Sequence, residues 1–263
     1  MYIHKTYSIN NQCKEIKEYK HLLKDLCKLN LRRSSKFNTL ALLGALYCMK
    51  DQKLDRKTGI YVCSEYGAIT SVKKVLDEIS KDAMIMPFDF LNINSNNVSF
   101  YVSQALETNG KNMLLTSEDL SFEKGLEMAL FDLEINEVED VLLGKVDESL
   151  NGIKNLDSND YSGWLYINKI KKNSLCKIEL IESFDCLDDL NKKIKSLEYE
   201  CFYLNQFAKI KLDKIDIDRK KIIENTTLDT IEHVFSFFEN SNKNMACISM
   251  DQNNNGTILY ISK

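Results

Sequence analysis

The chain has 263 residues, is 44% hydrophobic and 28% charged, and carries a formal net charge of −4. That length supports a substantial buried core in one large or two small domains, and the slightly acidic balance gives no global pointer to nucleic acid. One proline and nine glycines argue against disordered linkers and for dense regular structure.

The opening residues, Met1 to Asn10, lack the apolar centre of a signal peptide, and no apolar run approaches the ~18 residues of a membrane span. A cytoplasmic location is expected. Eight cysteines (13, 27, 48, 63, 176, 186, 201 and 247) form no C-x-x-C pair, and His4, His21 and His233 are far apart. A structural zinc site therefore has no support. In a reducing compartment the cysteines read as small buried hydrophobes.

In chain order, Tyr2 to Ile9 reads as a strand. Glu15 to Leu29 reads as a helix with Ile16, Tyr19, Leu22, Leu23, Leu26 and Leu29 at core spacing. The basic knot Arg32-Arg33-Ser34-Ser35-Lys36 leads into Phe37 to Met49, apolar nearly all round and so a buried helix. Thr58 to Cys63 is a core strand and Ser64 to Gly67 a turn. Ala68 to Ser80 is amphipathic, with Ile69, Val72, Val75, Leu76 and Ile79 expected inward. Pro87 lies in Met86 to Asn92, and a helix follows from Asn96 to Leu106.

The next stretch, Lys111 to Glu148, organises the rest. Asn112 to Thr116 is a short strand; Ser117, Glu118 and Asp119 form a polar turn; Ser121 to Leu133 is a helix with Phe122, Leu126, Ala129, Leu130 and Leu133 on one face; Val141 to Leu143 is a doubly covered strand. A strand delivering a turn to a helix N-terminus suits a nucleophile, because free N–H groups stabilise an anion there. This turn holds two carboxylates and no thiol. Alternation of strands and helices in this first portion predicts a mainly parallel sheet covered on both faces. Asn151 to Asp160 is polar and turn-rich, placing a boundary between 1–158 and 159–263. Beyond it, Tyr161 to Asn168, Leu175 to Phe184, Glu200 to Leu204, Met245 to Ser249 and Thr257 to Ile261 read as strands, and Leu187 to Leu197 and Thr227 to Phe238 as helices.

The order of these elements, together with several local strings, resembles the β-ketoacyl synthases of the thiolase-like superfamily. It is most similar to the shortened, chain-length-factor-type group of aryl polyene pathways. The strings are Arg32 to Phe37 before the first long helix, Thr58 to Gly67, and Met86-Pro87-Phe88-Asp89-Phe90-Leu91-Asn92 beside a Pro-x-x-Phe-x-Asn motif. Asp140 to Glu148 resembles a strand ending Gly-Gly-x-Glu, Ser162 to Ile167 a Gly-rich strand, and Asn254 to Tyr260 the terminal Gly-Thr-Asn-Gly strand. The resemblance covers nearly the whole chain and implies a thiolase-like layered α/β sandwich with a shortened second half, forming one compact unit.

The resemblance also implies where catalytic groups should stand. Condensation needs a thiolate to carry the acyl chain and imidazoles to support decarboxylation and the oxyanion. The family's Thr-Ala-Cys-x-Ser-Gly matches Thr116 to Ser121, so the nucleophile position falls on Glu118; no cysteine lies between Cys63 and Cys176. The first histidine position falls on Phe207, within Leu204 to Lys209, and the second on Ile223. All three groups are absent, and no cofactor is implied. The expected function is a catalytically silent subunit that partners an active ketosynthase, or itself, through Met113, Leu114 and Leu115. Lys169, Lys171 and Lys172 could meet an acidic acyl carrier protein, although solvated surface lysines are the default. The alternative is a non-condensing thioester enzyme, for which Cys63 would be the thiol, or a carrier-binding protein reusing the pocket. Glu118 and Asp119 are most simply helix-start residues, and His233 a packed or surface histidine. A sharper role for Glu118 is to mimic a bound malonyl carboxylate.

Overall fold

The computed structural model describes residues 1–50, 52–150, 159–223, 229–240 and 242–263. The expected segment boundary at 151–158 lies outside the described residues. The chain begins with β1 (Tyr2–Gln12) and α1 (Ile16–Leu23). A reciprocal capping box between Glu15 and Glu18 starts α1. The helix ends at Leu23 rather than Leu29: the N–H groups of Leu26 and Cys27 both turn back to the Leu23 carbonyl. That turn lets Leu26 and Leu29 pack beside α2 (Lys36–Cys48). Ser35 caps α2, its hydroxyl accepting from the Asn38 N–H at 3.1 Å, and the all-apolar helix is buried as expected.

Next come β2 (Gly59–Cys63), α3 (Ile69–Ser80), α4 (Pro87–Asn92), α5 (Asn97–Ala105), β3 (Asn112–Leu115), α6 (Ser121–Glu134) and β4 (Asp140–Asp147). The inward face predicted for α3 is largely uncovered. Only Val75 is buried, and Leu76 and Ile79 are more than half exposed, because α3 packs on α4 and the flank of α2. The later elements are β5 (Asn159–Asn168), β6 (Cys176–Phe184), α7 (Leu187–Lys195), β7 (Cys201–Leu204), α8 (Gln206–Ile210), α9 (Thr230–Glu239), β8 (Asn244–Met250) and β9 (Gly256–Ser262). Helix α8 was not foreseen; Asn205 starts it, accepting from the Ala208 N–H at 3.0 Å.

The nine strands form one sheet in the order β3-β2-β4-β5-β1-β6-β9-β8-β7. It is mixed rather than mainly parallel: only β3-β2, β2-β4 and β7-β8 run parallel. Strand β5 pairs antiparallel with both β4 and β1, which groups it with the first-half strands. The order repeats with the same logic in the second half: β6, β7, β8 and β9 stand to one another as β1, β2, β4 and β5 do. Among the described residues, the counterpart of β3 is one parallel bridge, Phe202 to Ile222.

The two halves of the sheet meet only where Tyr2 and Ile3 pair with Lys177 and Cys176. On either side of that crease, one apolar cluster gathers α6 and α9 with residues of both halves, among them Cys63, Leu143, Leu165, Tyr203, Cys247 and Leu259. Helices α1, α2 and α5 cover the opposite face of the first half, and α7 and α8 that of the second. The result is the expected layered α/β sandwich, with α6 and α9 as its central layer. Burying continuous apolar area on both faces of a sheet is what makes such layering stable.

Candidate functional site

Parallel strands with helical crossovers leave a crevice at their carboxyl ends, where turns meet helix N-termini. Here those ends carry the β2–α3, β3–α6 and β7–α8 turns and the approach to α9. The β3–α6 turn is tight. Ser121 Oγ donates to the Glu118 carbonyl at 2.7 Å and accepts from the Ser117 N–H at 2.8 Å. Glu118 takes φ 47°, left-handed backbone that is uncommon for a glutamate. Its side chain is exposed, whereas Asp119 is half-buried; burial and then Glu118 push the Asp119 carboxyl above its ordinary value.

At the β7–α8 turn, Asn205 is a structural clasp. Its side chain accepts from the N–H groups of Ala208 and Met250 and donates to the Met250 carbonyl at 2.8 Å. Phe207 packs into the outer cluster of the second half. Ile223 donates its N–H to the Phe202 carbonyl at 2.9 Å and packs on the central cluster. Glu118, Phe207 and Ile223 thus lie on three separate turns, and Phe207 and Ile223 face different cores.

The charged groups that do converge are ones the sequence reading passed over. Lys145, 7% exposed on β4, pairs with Asp229 Oδ1 at 2.5 Å and lies 3.9 Å from Asp147 Oδ2. Burial alone pulls the Lys145 ammonium down, but Asp229 and Asp147 outweigh it and hold the group protonated well above the usual lysine value. Asp147 accepts from the Ser64 hydroxyl at 2.7 Å and the Glu65 N–H at 2.8 Å, fixing the β2–α3 turn. Burial nevertheless pushes its carboxyl up to about 6. Beside this pair, Glu123 on α6 accepts from the Thr230 hydroxyl on α9, which also meets Ser249 Oγ at 2.6 Å. Two consecutive residues, Asp229 and Thr230, therefore tie the second half to β4 and α6 of the first. The available signal was a lone lysine in the apolar run Val141 to Val146: a buried ammonium needs a counter-charge.

Cys63 is wholly buried beneath α6, so close that a Cβ on Gly125 would meet its Sγ at 2.1 Å. Burial pushes the thiol far up, and the nearby Glu123 adds to this. It is a packed thiol with no thiolate character, which removes the basis for Cys63 as a nucleophile. His233 is packed rather than superficial, its ring 4.8 Å from that of Tyr203. Burial, with Lys209 adding to it, pulls it down to about 4, so the imidazole is neutral. His4 Nε2 contacts the Ile170 carbonyl at 2.8 Å and His21 is exposed. Among the described residues, no group of three or more histidine, cysteine or acidic side chains could hold a metal ion, and no helix is long and apolar enough to cross a membrane.

Strand β3 is the edge of the sheet. Its inner side pairs with β2, and its other side has no partner strand in the nine-stranded sheet. Met113, Leu114 and Leu115 are half-buried there. Helix α4 buries none of its residues; Phe88, Phe90 and Leu91 are exposed, as are Met84 and Met86 before it.

A central helix layer between two sheet halves, with turns gathered at the strands' carboxyl ends, defines the thiolase-like ketosynthase fold. The solved structures similar to this chain belong to that class and include chain length factors. The ishigamide ketosynthase/chain length factor superposes with a TM-score of 0.76 at 8% identity, covering 99% of this chain and 98% of that one. The ketosynthase ApeO in complex with its chain length factor ApeC, from Xenorhabdus doucetiae, gives 0.62 at 11% identity over all of both chains. The AntDE:AntF complex, a type II polyketide ketosynthase with its acyl-carrier protein, gives 0.70 at 11% identity over 99% and 98%. No family model matches the sequence, and no curated protein matches it.

Proposed function

We propose that this chain is a non-condensing, chain-length-factor-type partner of an active ketosynthase. The observation that carries the reading is the likeness in fold to chain length factors together with a β3–α6 turn, Thr116 to Ser121, that holds no thiol. On the sequence resemblance the nucleophile position falls on Glu118 and the histidine positions on Phe207 and Ile223. Neither an aromatic ring nor a sec-butyl chain can transfer a proton or donate to an oxyanion. The free β3 edge and the uncovered apolar side chains of α4 supply the second support, since exposed apolar surface of this kind marks interaction sites. The neighbours solved as ketosynthase complexes make a ketosynthase the favoured partner, with a second copy of this chain the other occupant of the same edge.

An acidic carrier protein would find a cationic surface between Lys14 and Arg33, which holds seven lysines and arginines against three carboxylates. Arg32 and Arg33 line a cleft of about 340 Å³ with Asn30, and among the described residues neither pairs with a carboxylate. That strip is a stronger candidate than Lys169, Lys171 and Lys172, of which Lys169 is engaged with Asn136 at 2.6 Å. The setting is a cytoplasmic polyene, polyketide or fatty acid pathway.

Co-expression with an active ketosynthase from the same genome, followed by native mass spectrometry, tests the partnership. A dimer is expected, and Leu114→Pro, which removes an edge N–H and breaks strand geometry, should abolish it. A strictly monomeric chain that captures no ketosynthase would sink the reading. Glu118→Ala, assayed for malonyl-carrier decarboxylation in the complex, separates a catalytic carboxylate from a turn residue.

A further inference from the structure

Asp229 occupies the N-cap position of α9 with extended backbone, φ −96° and ψ 136°. An aspartate there ordinarily accepts a hydrogen bond from an N–H of the first helical turn. This one makes no such bond; its carboxylate is turned instead to Lys145 on β4. It therefore has two competing partners, an ammonium in the other half of the molecule and the end of its own helix.

Lys145 also has an alternative. Asp147 Oδ2 is 3.9 Å away on the same face of β4, and Glu123 lies within electrostatic reach from α6. Glu65 on the β2–α3 turn and Asp119 on the β3–α6 turn add negative charge around the pair. Parting Lys145 from Asp229 thus strands neither group. The ammonium stays neutralised, and the carboxylate gains a cap.

The seam between the halves has one wet bond and one dry one. The Asp229 side chain is 38% exposed, so water can compete for it. The neighbouring Glu123, Thr230 and Ser249 are each buried. Directly behind the seam lies Cys63, with Glu123, Lys145 and Asp147 around its thiol.

We propose that the Lys145–Asp229 pair is a releasable latch, in which Asp229 can leave Lys145 to cap α9 while Lys145 moves to Asp147, opening the seam locally and admitting solvent to Cys63 without unfolding the molecule. The latch is independent of the partner role proposed above, because it concerns only groups of this chain.

Cys63 labelling by a small maleimide under native conditions, mapped by peptide mass spectrometry on the full chain, tests it. Cys247, equally buried in the second half, serves as the internal reference for global unfolding. In the Asp229→Asn protein, whose amide can still cap the helix, Cys63 labelling should rise at least tenfold relative to Cys247. Lys145→Met should act in the same direction. Raising salt to about 1 M, which screens exposed pairs, should speed Cys63 labelling severalfold in the wild type and leave Asp229→Asn unchanged. If Cys63 and Cys247 label in step in both proteins and at both salt levels, the pair is a fixed structural bond and the latch is wrong. Should Lys145→Met fail to fold, the Asp229→Asn and salt results decide alone.

Discussion

The two halves of this molecule repeat one plan with unequal strand pairing. In the first, β2 and β3 share a four-residue parallel register, and β3 delivers a tight turn to a fourteen-residue helix. In the second, the matching pairing among the described residues is a single bridge at Ile222, and α9 has ten residues. The first half keeps a paired edge strand in front of its central helix, whereas the described residues of the second make the matching pairing only at that bridge. The difference teaches that one plan can be built with unequal strand pairing. What still holds the weaker half in place is the shared central layer of α6 and α9.

That comparison can be broken at its centre. Phe237 on α9 is fully buried in the cluster common to both halves. Phe237→Ala is expected to cost about 3–5 kcal/mol. Trp164, the only tryptophan, sits in the first-half core with its Nε1 donating to Ser162 Oγ at 2.9 Å. If the halves are one cooperative unit, urea unfolding followed by Trp164 fluorescence shifts as far as that followed by circular dichroism. A Trp164 transition left in place would mean that the second half melts on its own.

Acidity gives a subtler contrast, of opposite sign in the two halves. Glu148, at the end of β4, accepts from the Thr70 N–H and hydroxyl at 2.7 Å, and burial pushes its carboxyl up to about 7. Between about pH 4.5 and 7 the folded chain keeps a proton there that the unfolded chain has released, so stability falls as pH rises through that window. His233 acts in reverse. Held down to about 4, it is neutral in the fold while the unfolded chain remains protonated up to about 6.5, so its contribution rises with pH between those values. Urea midpoints from pH 4 to 8 should show a shallower falling limb in the Glu148→Gln protein, above all between about pH 6 and 7, beyond the range of Asp147, the Glu148 share being roughly 3 kcal/mol at most. His233→Phe should steepen it. Identical profiles for all three proteins would contradict both assignments.

The smallest expected effects are at the caps. Ser35→Ala removes one capping bond of α2 and should cost about 1 kcal/mol. Asn205→Ala removes the α8 cap and also both bonds to Met250 that fasten β8, so about 2 kcal/mol is expected. Thermal unfolding compares the two directly, and equal losses would show that the second-half clasp is no more than a cap.

Much of this architecture was legible in the sequence because it rests on local pattern. The all-apolar run of α2, the apolar core of β4 and the turn residues before α6 each determine their own element. The sheet's mixed sense was not legible, since β1 and β5 are far apart in the chain and no local feature states whether such strands run together or opposed. The α3 face misled because amphipathic spacing shows that a face is apolar without showing what covers it. Leu76 and Ile79 are spaced for a core and remain exposed. At the candidate site, the β3–α6 turn carrying Glu118 could be read from its polar residues between two apolar runs. The pairing of Lys145 with Asp229 could not, because it joins residues 84 apart through the crossing of two halves.

Strand β1 sits in the middle of the sheet although its partners are far along the chain: Tyr2 pairs with Asn168 on one side and Lys177 on the other. Its neighbours β5 and β6 are synthesised only after β2, β3, β4 and six helices. Contacts so distant in sequence close slowly, and a strand with two unmet edges is open to wrong pairing meanwhile. Strand β1 should therefore need protection until β5 and β6 are made, and chains arrested before Asn168 should be recovered bound to chaperones rather than folded.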